Sequence, residues 1–318
     1  MVKTAGWDKL TFQVPEDWQL SISKRSDEKN KQKGLFILKN LDQQIQMSVK
    51  WEQIPKKAPN PKIIIDSFIK DLRKKYSKKT PIVIRSRRKI KIKGHDADYV
   101  FFESKKKKEQ AIVISWICTP HERIFLSFWP FKIEKNVNNK NKIDKIIESI
   151  ECHSEWVYWT GPGISIRVPS ELELKDSSFV IGTSYLHFIN ENNSFYIERI
   201  GLAKQRMAKY VDLLEFYESE YIPKMEKRID GFTYKKPKKF KTRRKAINEI
   251  WKSFSFVKTG KFLKKEQVPV IQYFWHNVSL NCFFIIATDL RSPEIRISSL
   301  KPKQVFGSLL KQLFTQNN

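Results

Sequence analysis

Cysteine is scarce in this 318-residue chain: Cys118, Cys152 and Cys282 lie far apart and are odd in number. That excludes the disulfide framework of a small secreted scaffold and favours a reducing, cytoplasmic compartment. Histidine is almost as rare, with five residues, His95, His121, His153, His187 and His276. Cys118 and His121 form a lone C-x-x-H, whereas a zinc site takes about four ligands. No metal and no cofactor are therefore expected. Of the ten glycines, the pair in "GPGISIR" precedes a strand and lacks the spacing of a phosphate-binding loop. No G-x-S-x-G elbow surrounds any serine, so no catalytic residue is assigned and the chain reads as non-enzymatic. No apolar run approaches the roughly 18 residues of a membrane span, and "MVKTAGWDKLTF" lacks the apolar core of a secretory signal.

Acid, too, is in short supply. Thirty-four Asp and Glu face 61 Lys and Arg, a net charge of +27. A field of that sign gathers polyanions before any specific contact forms, although a lysine- and isoleucine-rich composition is also what an AT-rich genome imposes. The charge is spread over both halves, which argues against a detachable basic arm. With 40% hydrophobic and 13% aromatic residues, the chain has enough apolar side chain for a proper core and is no disordered tail.

Self-comparison organises the chain. "LTFQVP" (Leu10 to Pro15) matches "ISIRVP" (Ile164 to Pro169), each an alternating strand closed by a proline that cannot continue a central ladder. "KKEQAIVISW" (Lys107 to Trp116) matches "KKEQVPVIQY" (Lys264 to Tyr273), and each is followed by a second apolar run, "RIFLSFW" or "LNCFFIIA", as in a β-hairpin. Each half closes on an amphipathic segment: Ile143, Ile146, Ile147 and Ile150 in the first, Phe306, Leu309, Leu310 and Leu313 in the second. A central helix is expected in "PKIIIDSFIKDLRKKYSKK", opening on Pro61, and in "KYVDLLEFYESEYIPKMEKRI", which Pro223 should bend or end. The expected fold is α+β: two repeated modules, 1–154 and 155–318, each an antiparallel sheet flanked by a central and a C-terminal helix. The joint "HSEWVYWTGPG", with Trp156, Tyr158 and Trp159, reads as packed and not as a loose linker.

The pattern "FQVPEDWQL", followed by strands, a mid-domain helix, a meander and a terminal amphipathic helix, resembles the PsbP-like α/β/α sandwich. "SIRVPSELEL" looks like the same element without the Trp, so the resemblance is to a tandem of two such modules. It implies a binding or accessory scaffold and transfers no site residue and no reaction.

The basic segments carry the functional expectation. In "RSRRKIKIKG", alternation sets Ile90 and Ile92 on one strand face and Lys89, Lys91 and Lys93 on the other, with Arg85, Arg87 and Arg88 preceding. The corresponding stretch of the second half holds Lys235, Lys236, Lys238, Lys239, Lys241, Arg243, Arg244 and Lys245. Two such tracks could follow a phosphate backbone; equally, lysine on an exposed strand simply resists aggregation. "SKKKK" (Ser104 to Lys108) sits at an expected hairpin tip, as does "KTGKFLKK". No helix-turn-helix, zinc finger or basic zipper is visible. The leading expectation is recognition of RNA or a ribonucleoprotein such as the ribosome by shape and backbone, with DNA a further candidate. The alternative is a protein-interaction scaffold that docks on an acidic protein partner. A continuous basic stripe would favour the first, and an exposed apolar patch the second.

Overall fold

The structure, a computed structural model, describes residues 2–26, 33–40, 46–55, 58–75, 81–104, 109–132, 139–190, 194–228, 233–240, 247–259, 266–278 and 280–289. The chain divides into two compact units, Met1–Thr160 and Gly161–Asn318. The first opens on a hairpin of β1 (Val2–Trp7) and β2 (Leu10–Pro15), turned by Asp8 and Lys9 with φ of 50° and 74°. Alternation in "LTFQVP" buries Leu10, Phe12 and Val14 and leaves Gln13 in water. Then follow β3 (Gln19–Ser26), β4 (Lys33–Lys39), β5 (Gln46–Gln53), α1 (Pro61–Lys75), β6 (Val83–Ile92), β7 (His95–Ser104), β8 (Glu109–Cys118), β9 (Arg123–Lys132) and α2 (Asn139–Glu148). The seven strands after the hairpin form one sheet, in the order β3-β4-β5-β9-β8-β7-β6. Every pairing in it is antiparallel.

Helix α1 starts at Pro61, whose missing N–H costs nothing in a first turn. It lays Ile65 and Ile69 on Val100, Phe102 and Val113 of the sheet. Burial of two such side chains contributes roughly 3–6 kcal/mol. Helix α2 buries Ile143, Ile146 and Ile147. Deep in this unit Arg123 pairs with Asp8 at 2.9 Å and stacks over the Trp51 ring at 3.8 Å. The ion pair ties the β1–β2 turn to the sheet.

The boundary region carries β10 (Trp156–Gly161) and β11 (Ile164–Pro169), a second two-stranded sheet. The second unit continues with β12 (Glu173–Val180), β13 (Thr183–Ile189), β14 (Ser194–Gly201), three short helices, α3 (Ala203–Met207), α4 (Leu213–Phe216) and α5 (Ile222–Arg228), and β15 (Thr233–Phe240), β16 (Ile247–Thr259), β17 (Glu266–Asn277) and β18 (Cys282–Asp289). These seven strands form a sheet in the order β12-β13-β14-β18-β17-β16-β15, again antiparallel throughout.

Strand dominates the described residues, with four sheets and few helices. The fold is mostly β, and the expected α+β sandwich of repeated modules, each flanked by a central and a C-terminal helix, is overturned. Two physical reasons account for the difference. Hairpin strands of ten or more residues outgrow the apolar runs that reveal them, because their solvent faces are charged. And the segment expected to form one central helix in the second unit is helical over a shorter span, from Leu213 to Arg228, as α4, a π-helical turn at Tyr217–Tyr221, and α5. Pro223 does not end it; the wider turn ahead of Pro223 absorbs the missing donor. Asp212 caps α4, its carboxylate accepting the Glu215 N–H at 2.8 Å. Tyr217 lies flat on Phe274 with ring centroids 3.7 Å apart. Phe306, Leu309, Leu310 and Leu313, and the hairpin tips at 105–108 and 260–265, lie outside the described residues. No helix among the described residues is long and apolar enough to cross a membrane.

Candidate functional site

Strand β6 carries Arg85, Arg87, Arg88, Lys89 and Lys91 of the first track, with Lys93 in the turn that follows, and among the described residues it is the last strand of its sheet. Ile92 is buried while Lys89, Lys91 and Lys93 are exposed, the alternation the sequence shows. The structure adds a set of carboxylates that answers these charges. Arg85 pairs with Glu103, and Arg87 reaches Asp66 of α1 at 2.7 Å and Asp98 of β7 at 3.5 Å. Arg88 lies 3.8 Å from Asp144 of α2 and over the Tyr99 ring at 4.5 Å. Lys91 pairs with Asp96 at 2.7 Å and Lys93 with Glu151 at 3.0 Å. In the β6–β7 register Lys89 stands opposite Asp98 and Lys91 opposite Asp96, so the compensation is built into strand pairing. The Lys91 ammonium, hydrogen-bonded to Asp96, holds that carboxyl below the usual range. Arg87, held between two carboxylates, is the cation most committed to its partners, and the others lose part of their net charge to the neighbouring acids.

In the second track, Lys235, Lys236, Lys238 and Lys239 fall on β15, which ends its own sheet. The register shifts between Lys235 and Lys238, around Pro237, which cannot donate to the ladder. Lys241, Arg243, Arg244 and Lys245 lie outside the described residues.

A second constellation was not legible as such. His95 opens β7 and Cys118 ends β8. Ala97 pairs with Trp116 across these strands, so His95 and Cys118, each two residues beyond that pair, emerge at the same end and on the same side of the ladder. Cys152 and His153 come from the segment after α2. That segment is held to β2 by a bridge between Thr11 and Glu151, with backbone bonds of 2.8 and 2.7 Å, and to the β6–β7 turn by the Lys93–Glu151 pair. One ligand atom from each of His95, Cys118, Cys152 and His153 lies within 4.8 Å of all the others. His95 Nε2 is 3.2 Å from His153 Nδ1, which is 3.4 Å from Cys152 Sγ and 3.9 Å from Cys118 Sγ. Cys118 of the lone C-x-x-H thus meets three further candidate ligands from a distance in sequence, and its neighbour His121 is not among them. His121 itself contacts the Cys152 carbonyl oxygen, with its Nδ1 3.7 Å from Cys118 Sγ. Their mutual hydrogen bond pulls the two buried thiols apart, Cys118 downward and Cys152 upward.

The third feature is apolar. In the second unit, Ile181 is fully exposed, Val180 is 62% exposed and Leu202 54%. The Gly201 N–H donates to Gly182 O at 2.7 Å, which binds the β12–β13 turn to the residue before Leu202. The Ala203 N–H donates to Asn281 O at 3.0 Å, which brings up the β17–β18 turn with exposed Val278. Leu202 sits at φ 59°, a left-handed conformation unusual for a bulky residue and a mark of local constraint. A cavity of about 280 Å³ adjoins Leu202, lined by Arg206, Lys209, Tyr210, Phe216 and Glu220 among others. From Leu202 to Val211 the chain carries Lys204, Arg206 and Lys209 and no acid. Sequence reasoning passed over this end because single exposed apolar residues in turns carry no periodic signal.

No family model matches the chain, and no curated protein matches it. Among solved structures, cyanobacterial PsbP (CyanoP) from Synechocystis sp. PCC 6803 is 11% identical, covering 48% of this chain and 92% of its own, at a TM-score of 0.36. The immunity protein TplEi of the T6SS of Pseudomonas aeruginosa, complexed with "L" peptide, is 8% identical, with coverage of 97% and 96% and a TM-score of 0.28. The Tle4-Tli4 complex contains a chain that is 9% identical, with coverage of 98% and 94% and a TM-score of 0.30. These are weak resemblances of fold, the first of them PsbP-like, and the reading of function rests on the residues above.

Proposed function

We propose that the protein is a non-enzymatic binding protein that docks on an acidic protein partner through the apolar end of its second unit. The observation that carries this reading is the exposure of Val180, Ile181, Leu202 and Val278 on three segments tied together by main-chain hydrogen bonds. Bulky side chains gathered at one end, beside a cavity and next to Lys204, Arg206 and Lys209, match a partner that offers an apolar anchor within an acidic surface. The internal pairing of the β6 cations weighs against a phosphate track there. A ribonucleoprotein partner then has to be recognised elsewhere on the charged surface.

The test is co-purification of the full chain from its own cells, with and without nuclease, comparing the native sequence with an Ile181→Asp, Leu202→Asp double variant. A protein partner should survive nuclease and be recovered about tenfold less with the variant, the usual cost of an apolar hot spot. Both side chains are exposed, so thermal stability of the variant should be unchanged. Recovery of RNA alone, lost on nuclease treatment and indifferent to the variant, would replace this reading with RNA recognition.

A further inference from the structure

From the arrangement of His95, Cys118, Cys152 and His153 we infer that the first unit binds one zinc ion, as a closed Cys2His2 structural site. Bond lengths of zinc to imidazole nitrogen and to thiolate sulfur imply tetrahedron edges of about 3.3 Å between nitrogens, about 3.5 Å between nitrogen and sulfur, and about 3.8 Å between sulfurs. The His95–His153 edge is 3.2 Å, and the two nitrogen–sulfur edges from His153 are 3.4 and 3.9 Å. The His95 and His153 rings are inclined at 68° with centroids 5.0 Å apart. They approach edge to face.

Two thiolates and two imidazoles in tetrahedral array are the donor set that selects zinc over harder cations. Both sulfurs are buried, which shields the ion from water. A second observation points the same way. Trp116 is fully buried, and its indole N–H, without a partner at full hydrogen-bond geometry among the described residues, lies against Cys152. A metal-bound thiolate is a strong acceptor for such a donor, whereas a neutral thiol is a weak one. His121, bonded to the Cys152 carbonyl, stands in the outer shell and fixes the Cys152–His153 backbone.

Binding releases both thiol protons to solvent and leaves each imidazole neutral, one nitrogen on the metal. Four protein ligands leave no open position for a reacting water, so the ion staples the ends of β7 and β8 to the segment after α2 and performs no chemistry. This inference is independent of the docking surface, which lies on the other unit.

The test uses reduced, full-length protein stripped by chelation and titrated with Co²⁺ and then Zn²⁺. About one cobalt per chain is expected, with the visible bands of tetrahedral Co²⁺ and a sulfur-to-cobalt charge-transfer band, both bleached by zinc. Cys118→Ser and Cys152→Ser should each halve the charge-transfer band and weaken zinc binding by more than about a hundredfold. Cys282→Ser should leave both unchanged. The titration of the native sequence decides the matter even if a variant fails to fold. Uptake below a tenth of an ion per chain, an octahedral spectrum without the sulfur band, or a Cys118–Cys152 disulfide whose reduction yields no metal uptake would falsify the site.

Discussion

His187 on β13 shows how one side chain can make stability depend on pH. Its imidazole accepts or donates at 2.8 Å with Ser194 Oγ. Burial, helped by the Lys175 charge and opposed by Asp176, pulls its pKa from 6.5 down to about 4. Above pH 6.5 both folded and unfolded chains hold the ring neutral, and its contribution is fully present. As pH falls below 6.5 the unfolded chain takes up a proton that the folded one refuses, so stability drops until the folded ring titrates near pH 4. The loss should approach about 3 kcal/mol, measured by urea unfolding at stepped pH. In His187→Gln that part of the slope should vanish; a profile identical to the native one retires this account. At the same scale, the sequence offered each ligand of the candidate zinc site by name but not their meeting. Cys152 and His153 are adjacent, Cys118 stands 34 residues earlier, and nothing in that spacing signals proximity.

At the scale of elements, strand alternation was the reliable signal. β2, β10 and β13 bury the residues that period two selects, because a pleated strand has only two faces. What alternation does not give is where a strand sits in its sheet. β6 reads as a cationic track, and its place at the end of the sheet, facing Asp96 and Asp98 of β7, turns the same charges into a guarded edge. Replacing three of them, Arg85→Val, Lys89→Val and Lys91→Val, should therefore produce concentration-dependent association in light scattering. Each exposed ion pair contributes less than about 1 kcal/mol, so the melting temperature should move little. A variant that stays as dispersed as the native protein at every concentration would show that the charges serve something else. The segment from Leu213 to Arg228 is helical, as its spacing indicates, but carries a π turn that spacing does not reveal. Within that turn Tyr217 stacks on Phe274, a contact with a distant strand.

At the scale of the whole molecule, the net charge of +27 sets the largest electrostatic force on the fold. Like charges repel in the compact state, and added salt screens that repulsion. Raising sodium chloride from about 20 mM to about 300 mM shortens the Debye length to well under 10 Å. The melting temperature should rise by a few degrees, roughly 1 kcal/mol of relieved repulsion. A fall instead would mean that the ion pairs of β6 and its neighbours outweigh the excess charge. The sequence by itself determined the charge, the division into two halves' worth of strands, the faces of those strands and the amphipathic stripes of α1 and α2, since these follow from residue type and local periodicity. Only the tertiary structure decided that the fold is mostly β, that carboxylates neutralise the basic strand, that three turns gather Ile181, Leu202 and Val278 at one end, and that two cysteines and two histidines converge. Each of these depends on which strands become neighbours, and antiparallel pairing brings together residues whose separation in sequence carries no trace of it.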